Sequence, residues 1–426
     1  MNQSPPTNSQ SNAQVREADA IYGHEPREYR RYLNNFALVV VLVLLATSTM
    51  NLLVDPYARY ELIRAPGFNE RKPAAVDQVA LTKTYQVIRA RPQTLLLGNS
   101  RVDIGLDPES PSLPQVFTPA YNLAIPGTGV EAALFYLRHA AAHTDLKALV
   151  LGVDFMDFLT EAQAATPVAG PRLDGNGQVS QIASLQQTGN DTLTTLLSLS
   201  ATLDSLNTLL SQRDSDAGGI TRKGLNLASQ FNKLVSSEGH YALFTAKNRE
   251  YLQRLVQGPR QVFIPGTKSS SSWQALQEIV EFCTLHDIRL TLFIHPYHAD
   301  VLGLFDRAQL WTEFERWKRG LTAVTGKPAN PVTIWDFSAH GEITNEALPG
   351  PGDTTTKMHW YWEGGHYKRE LGERMFARMF AGDDGSFGTQ ITPANIAEHL
   401  TLLRERKAQY AASHPDAVER ITRLPE

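Results

Sequence analysis

The stretch "TLLLGNSRVDIGL", residues 94–106, opens with an apolar run and then breaks at Gly98 into Asn99, Ser100 and Arg101. Its first half fits a strand buried on both faces, because continuous apolar runs, unlike alternating ones, leave no face for water. Four further segments read the same way: "YNLAI" at 121–125, "ALVLGVDF" at 148–155, "RLTLFIHP" at 289–296 and "VTIWDFS" at 332–338. Helical patterns lie between them, "GVEAALFYLRHAAAH" after the second run and "SWQALQEIVEFCTLHD" before the fourth, each with its apolar residues on one face. Strands alternating with helices imply an α/β fold with a doubly wound, mostly parallel sheet and right-handed crossovers.

In open α/β sheets ligands bind outside the carboxyl ends of the strands. Ser100 falls there, after the first strand. Gly98 lets the chain turn sharply, and the N–H groups that follow are able to face an oxyanion. Ser100 therefore reads either as a nucleophile or as a turn residue whose hydroxyl caps a backbone N–H. A nucleophile needs a base and a group to orient that base. The stretch "MHWYWEGGHYKRELGERMFARMF", residues 358–380, supplies His366 and, three positions earlier, Glu363. Leu371, Met375 and Met379 mark a helix there, which puts His366 near its N-terminus or on the loop before it, after the Gly364-Gly365 turn.

This constellation resembles the SGNH-hydrolase-like superfamily of GDSL-type esterases and acyltransferases, in particular its membrane-anchored branches acting on cell-surface polymers. The strand followed by Gly98-Asn99-Ser100 is similar to the nucleophile block. Gly127 in "YNLAIPGTGVE" is similar to the oxyanion glycine, and Glu363-Gly-Gly-His366 to the final Asp-x-x-His block, with glutamate for aspartate. The Gly-x-Asn block is represented by "LGVDF", where Asp154 stands in place of asparagine. An ionised carboxylate donates no hydrogen bond, so one oxyanion donor is missing, an effect of about 2.7–4 kcal/mol; Asn122 on the neighbouring strand is a candidate substitute. The resemblance implies a flavodoxin-like fold of SGNH type and a triad of Ser100, His366 and Glu363. The oxyanion would be held by the Ser100 and Gly127 N–H groups. It further implies an acyltransferase or esterase acting on an acylated envelope or exported polysaccharide, with an acylated carbohydrate or acyl donor as ligand. A membrane-bound acyltransferase is an admissible partner. The alternative is a non-catalytic accessory or polymer-binding relative, which Asp154 favours.

Arg101 reads as an anion clamp or as the partner of a nearby acid such as Asp103, the latter preferred. His295 and His298, after the fourth strand, either line a substrate site or end the strand. Trp360, Tyr361 and Trp362 suit stacking on sugar rings or a buried aromatic patch. His359, Glu363 and His366 invite a metal, but the glycine pair interrupts the helix that would align them, and no metal or cofactor is assigned. The lone Cys283 reads as a small buried hydrophobe.

The chain has 426 residues, 42% of them hydrophobic and 20% charged, and a net charge of −4, so it is globular and without the basic excess that nucleic acid requires. Residues 33–54, "LNNFALVVVLVLLATSTMNLLV", carry no charge over 22 positions, enough for a hydrocarbon core of about 30 Å. Arg27, Arg30 and Arg31 before the run, against Arg59 and Arg64 after it, place the N-terminus in the cytoplasm. The expected organisation is a disordered cytoplasmic tail at 1–32, a single-pass anchor of the cytoplasmic membrane at 33–54 and a linker at 55–89. The α/β domain, on the periplasmic or extracellular side, spans 90–382 with a helical insertion or lid at 160–270, and a helical extension follows at 383–426.

Overall fold

The computed structural model describes residues 26–160, 181–214, 216–325, 332–383 and 385–425. Most of the expected tail, and the Gly/Pro-containing start of the insertion, lie outside the described residues.

In chain order the elements are α1 (Pro26–Val54), α2 (Val79–Ala90), β1 (Thr94–Leu97), α3 (Ser100–Gly105), β2 (Ala120–Asn122), α4 (Val130–Ala141) and β3 (Ala148–Val153). The insertion follows as α5 (Gln181–Leu197), α6 (Leu199–Leu210) and α7 (Ser229–Gln257). Next come α8 (Ser271–Leu285), β4 (Arg289–Ile294), α9 (Ala299–Arg307), α10 (Trp311–Thr325) and β5 (Thr333–Asp336). The chain ends with β6 (Tyr361–Glu363), β7 (His366–Tyr367), α11 (Arg369–Phe380), β8 (Thr389–Ile391), α12 (Ile396–Ser413) and α13 (Pro415–Thr422).

All five expected strands form, and they pair in parallel in the order β2-β1-β3-β4-β5. Alternate strand residues feed two cores, one on each face. Leu95, Leu97, Leu149, Leu151 and Leu292 meet helices α4, α8 and α10 on one side, while Leu96, Val150 and Phe293 meet α11 on the other. The order reverses between β1 and β3, which opens a crevice at the carboxyl end of β1.

Two expectations change. The sheet gains a sixth, antiparallel strand, β8, from the stretch expected to be wholly helical; three residues are too few to show a period in sequence. The stretch read as a linker holds α2, whose Val79 and Val87 enter the core. The insertion is helical as expected, and its residues 184–212 form two helices that meet at Ser198, whose hydroxyl accepts from the Ala201 N–H at 3.0 Å. His366 lies ahead of the helix, as expected, in β7 of a hairpin turned by Gly364 and Gly365, and the helix starts three residues later.

α1 is long and apolar enough to cross a membrane, by length and composition. Leu33 to Leu45 are exposed around its whole girth, whereas Asn51 and Val54 are buried against the domain.

Candidate active site

Thr94–Leu97 is buried along its length, and the chain leaves it through Gly98, whose φ of 149° suits glycine. A β-carbon at Gly98 would also lie 2.5 Å from Val102 Cγ2. Asn99 then caps α3, accepting from the Arg101 N–H at 3.1 Å, and Ser100 becomes the first helical residue.

Three buried ties hold this turn. Lys83 Nζ donates to Asp103 at 2.6 Å, with both side chains fully buried. The Asn122 amide donates to the carbonyls of Val102 at 2.7 Å and Leu106 at 2.9 Å. Arg101 pairs with Asp154 and donates to the Tyr251 hydroxyl at 3.1 Å.

The late segment meets the early one through two glycines. A β-carbon on Gly372 would lie 1.8 Å from the Gly105 carbonyl oxygen, and one on Gly105 would lie 2.1 Å from Tyr367 Cε2. Only bare backbone allows α3, β7 and α11 so close, and that contact delivers His366 to Ser100 across 266 positions of sequence. His366 Nε2 lies 2.8 Å from Ser100 Oγ, and Nδ1 faces Glu363 Oε1. Glu363 also accepts from the Gly365 N–H at 2.6 Å through Oε2. Burial pushes the Glu363 carboxyl up. The His366 charge and hydrogen bond, with the Gly365 N–H, outweigh it and leave the group below the ordinary carboxylate range. An ionised Glu363 fixes the proton on Nδ1 and leaves Nε2 to accept from the serine hydroxyl.

Ser100 and His366 open on a cavity of about 460 Å³ that is also lined by Asn99, Arg101, Gly127, Asp154 and Asp157. The insertion supplies the opposite wall through Phe231, Lys247, Glu250, Tyr251 and Arg254 of α7. Burial pushes the Asp157 carboxyl up to about 6 against the pull of Arg254 and Arg101.

The other candidates are placed differently. Gly127 lines the cavity, with φ of 73° and open space around it. Asn122 does not: its amide N–H groups are committed to α3 carbonyls, and its oxygen accepts from Lys83 at 3.2 Å and from the Ala124 N–H at 3.1 Å. It therefore has no donor for a substrate and serves as a brace. Arg101 is ion-paired as expected, but with Asp154, because Lys83 already occupies Asp103. Asp154 Oδ1 also accepts from the Tyr297 hydroxyl at 2.9 Å and the Met156 N–H at 3.1 Å. The carboxylate in the asparagine's place is thus matched to a buried guanidinium. His295 is fully buried beneath the site and outside the cavity wall. Burial, then the charges of Arg101 and His366, hold its imidazole well below the ordinary histidine range. His298 caps α9, its Nδ1 accepting from the Asp300 N–H at 3.1 Å.

Tyr361 is buried with its hydroxyl on the Pro296 carbonyl at 3.0 Å, while Trp362 stacks on Phe231 with centroids 5.5 Å apart. Phe231 in turn packs at 5.6 Å on the His366 ring. Cys283 is buried in α8, its thiol pushed up to about 12 by burial. Sequence reasoning missed Asp157 and the α7 wall. Asp157 carries a local signal, lying three residues past Asp154 at the same strand end. The α7 residues carry none, because their place depends on how the insertion folds back.

No family model matches the chain, and no curated protein matches it. What the site is able to do rests on its geometry.

Proposed function

We propose that this chain is a membrane-anchored serine esterase or acyltransferase of SGNH type, acting on an acylated envelope or exported polysaccharide from the outer side of a cytoplasmic membrane. One observation carries the catalytic part: a hydroxyl, an imidazole and a carboxylate form one hydrogen-bonded chain at the carboxyl edge of a parallel sheet, open to a cavity. The polymer and the sidedness come from the motif resemblance and the arginine bias around the anchor.

Ser100 Oγ attacks the acyl carbonyl as its proton passes to His366 Nε2. Glu363 stabilises the imidazolium, and the Ser100 and Gly127 N–H groups receive the oxyanion. Collapse releases the alcohol, protonated by His366, and leaves an acyl-serine. Water or an acceptor hydroxyl then gives its proton to His366, takes the acyl group and restores Ser100.

The Asp154 carboxylate favours a second reading, a non-catalytic polymer-binding relative, since this position offers Arg101 an acceptor and an oxyanion no donor. A serine-directed fluorophosphonate separates the two. The enzyme reading expects labelling of the full chain and its loss in Ser100→Ala. Absence of labelling, with Ser100→Ala behaving as the parent in cells, supports the binding protein.

A further inference from the structure

α6 is built inside out. Ala201, Ser205 and Thr208 are buried against the domain, whereas Leu199, Leu203, Leu206 and Leu210 are 45–83% exposed. These leucines follow one another at helical spacing and form a single outward stripe. α5 repeats the pattern, with Asp191 and Thr195 buried and Leu185, Leu193 and Leu197 exposed. Residues 181–210 contain no lysine, arginine, histidine or glutamate, and only two aspartates. Both are turned inward: Asp191 accepts from the Tyr85 hydroxyl at 2.7 Å and Asp204 from the Tyr57 hydroxyl at 2.6 Å. The outward face therefore carries no charge: neutral side chains such as Thr194, Ser200 and Asn207 stand beside the leucines, and the leucine stripe of α6 is an apolar surface of the kind that soluble proteins limit.

Its position says what covers it. A hydrocarbon core takes about 20 residues of helix, so the uncharged run at 33–54 brings Asn51 to the far boundary of the bilayer. At that depth Asn51 donates to the Leu196 carbonyl at 2.9 Å and to Thr202 Oγ1 at 3.2 Å, and accepts from the Ser205 hydroxyl at 2.8 Å. The bend between α5 and α6 is thus tied to the anchor where it leaves the lipid. In the loop after α1, Leu62 and Ile63 are also exposed, and Asn69 donates to the carbonyls of Leu53, Val54 and Ile63.

We infer that α5 and α6 form a collar around the exit of the anchor, with the leucine stripe seated in the adjoining lipid leaflet. The inference rests on α1 crossing the membrane. Both aspartates face the protein and the leucine stripe faces outward, as expected where the surrounding medium is acyl chain. The collar also adjoins the reactive serine: α6 packs on Pro73–Ala75, and Val76 lines the Ser100 cavity.

The test uses the full chain in lipid nanodiscs, with a nitroxide on Leu42→Cys in the anchor, Leu206→Cys on α6 or Glu405→Cys on exposed α12. The native Cys283, being buried, stays unlabelled. Collisions are measured with oxygen, which concentrates in lipid, and with a water-soluble nickel chelate. The logarithm of the oxygen-to-nickel ratio is expected to be positive at 42 and 206 and negative at 405. A positive value at 42 with a negative one at 206 overturns the collar and spares the anchor. Low collision rates with both reagents at 206 also overturn it, by pointing to a protein cover. A negative value at 42 removes the anchor and the collar together.

Discussion

At the carboxyl end of β1 the interior holds charged groups with partners: Lys83 with Asp103, Arg101 with Asp154, and the Glu363 carboxylate with the His366 imidazole. On α6 the interior holds Ala201, Ser205 and Thr208, and the leucines stand outside. The first region spends buried electrostatics to fix a serine within hydrogen-bond reach of a histidine. The second leaves its apolar side chains outside, where the inference drawn above seats them in lipid. The contrast teaches that burial in the fold and withdrawal from water are separate quantities where a chain carries a helix long and apolar enough to cross a membrane. In the site corner they coincide. On α6 the proposed collar parts them.

Three substitutions press on that contrast. Glu363→Gln keeps the shape of the side chain but removes the charge that holds the imidazole tautomer, and kcat of the proposed acyl transfer is expected to fall by about 10⁴-fold. Steady-state hydrolysis of an activated ester measures it, and a loss below tenfold would take Glu363 out of the triad. Lys83→Met leaves Asp103 buried without its partner, at an expected cost of about 3–5 kcal/mol. Tryptophan fluorescence during urea unfolding reads that change; a loss under about 1 kcal/mol means that the pair does not fix α3. Leu206→Gln, made on the exposed stripe of α6, should stay within about 0.5 kcal/mol of the parent by the same measurement in detergent. A cost comparable to that of Lys83→Met would show α6 to be part of the folded core and erase the contrast.

The two regions also differ in how far they are legible. The five parallel strands could be read because each is a continuous apolar run, and the N-terminal helix, long and apolar enough to cross a membrane, because its 22 residues carry no charge. Ser100, Glu363 and His366 were found as residue types at a strand end and a glycine turn. β8 was missed because its three residues show no period. Asn122 was misassigned because strand position does not say whether an amide is free, and here Val102 and Leu106 take both of its N–H groups. The insertion was read as helical, but a helical period is the same whichever face looks outward.

The sequence by itself determined the layer order, the long apolar N-terminal helix and the residue types of the candidate triad, because these depend on local runs, spacing and side-chain chemistry. Tertiary structure decided the partners. It set Asp154 rather than Asp103 against Arg101, turned the α6 leucines outward, and joined Ser100 to His366 where Gly105 and Gly372 let two backbones touch. Which groups meet depends on chain segments hundreds of residues apart competing for the same space, and no local pattern encodes the outcome of that competition.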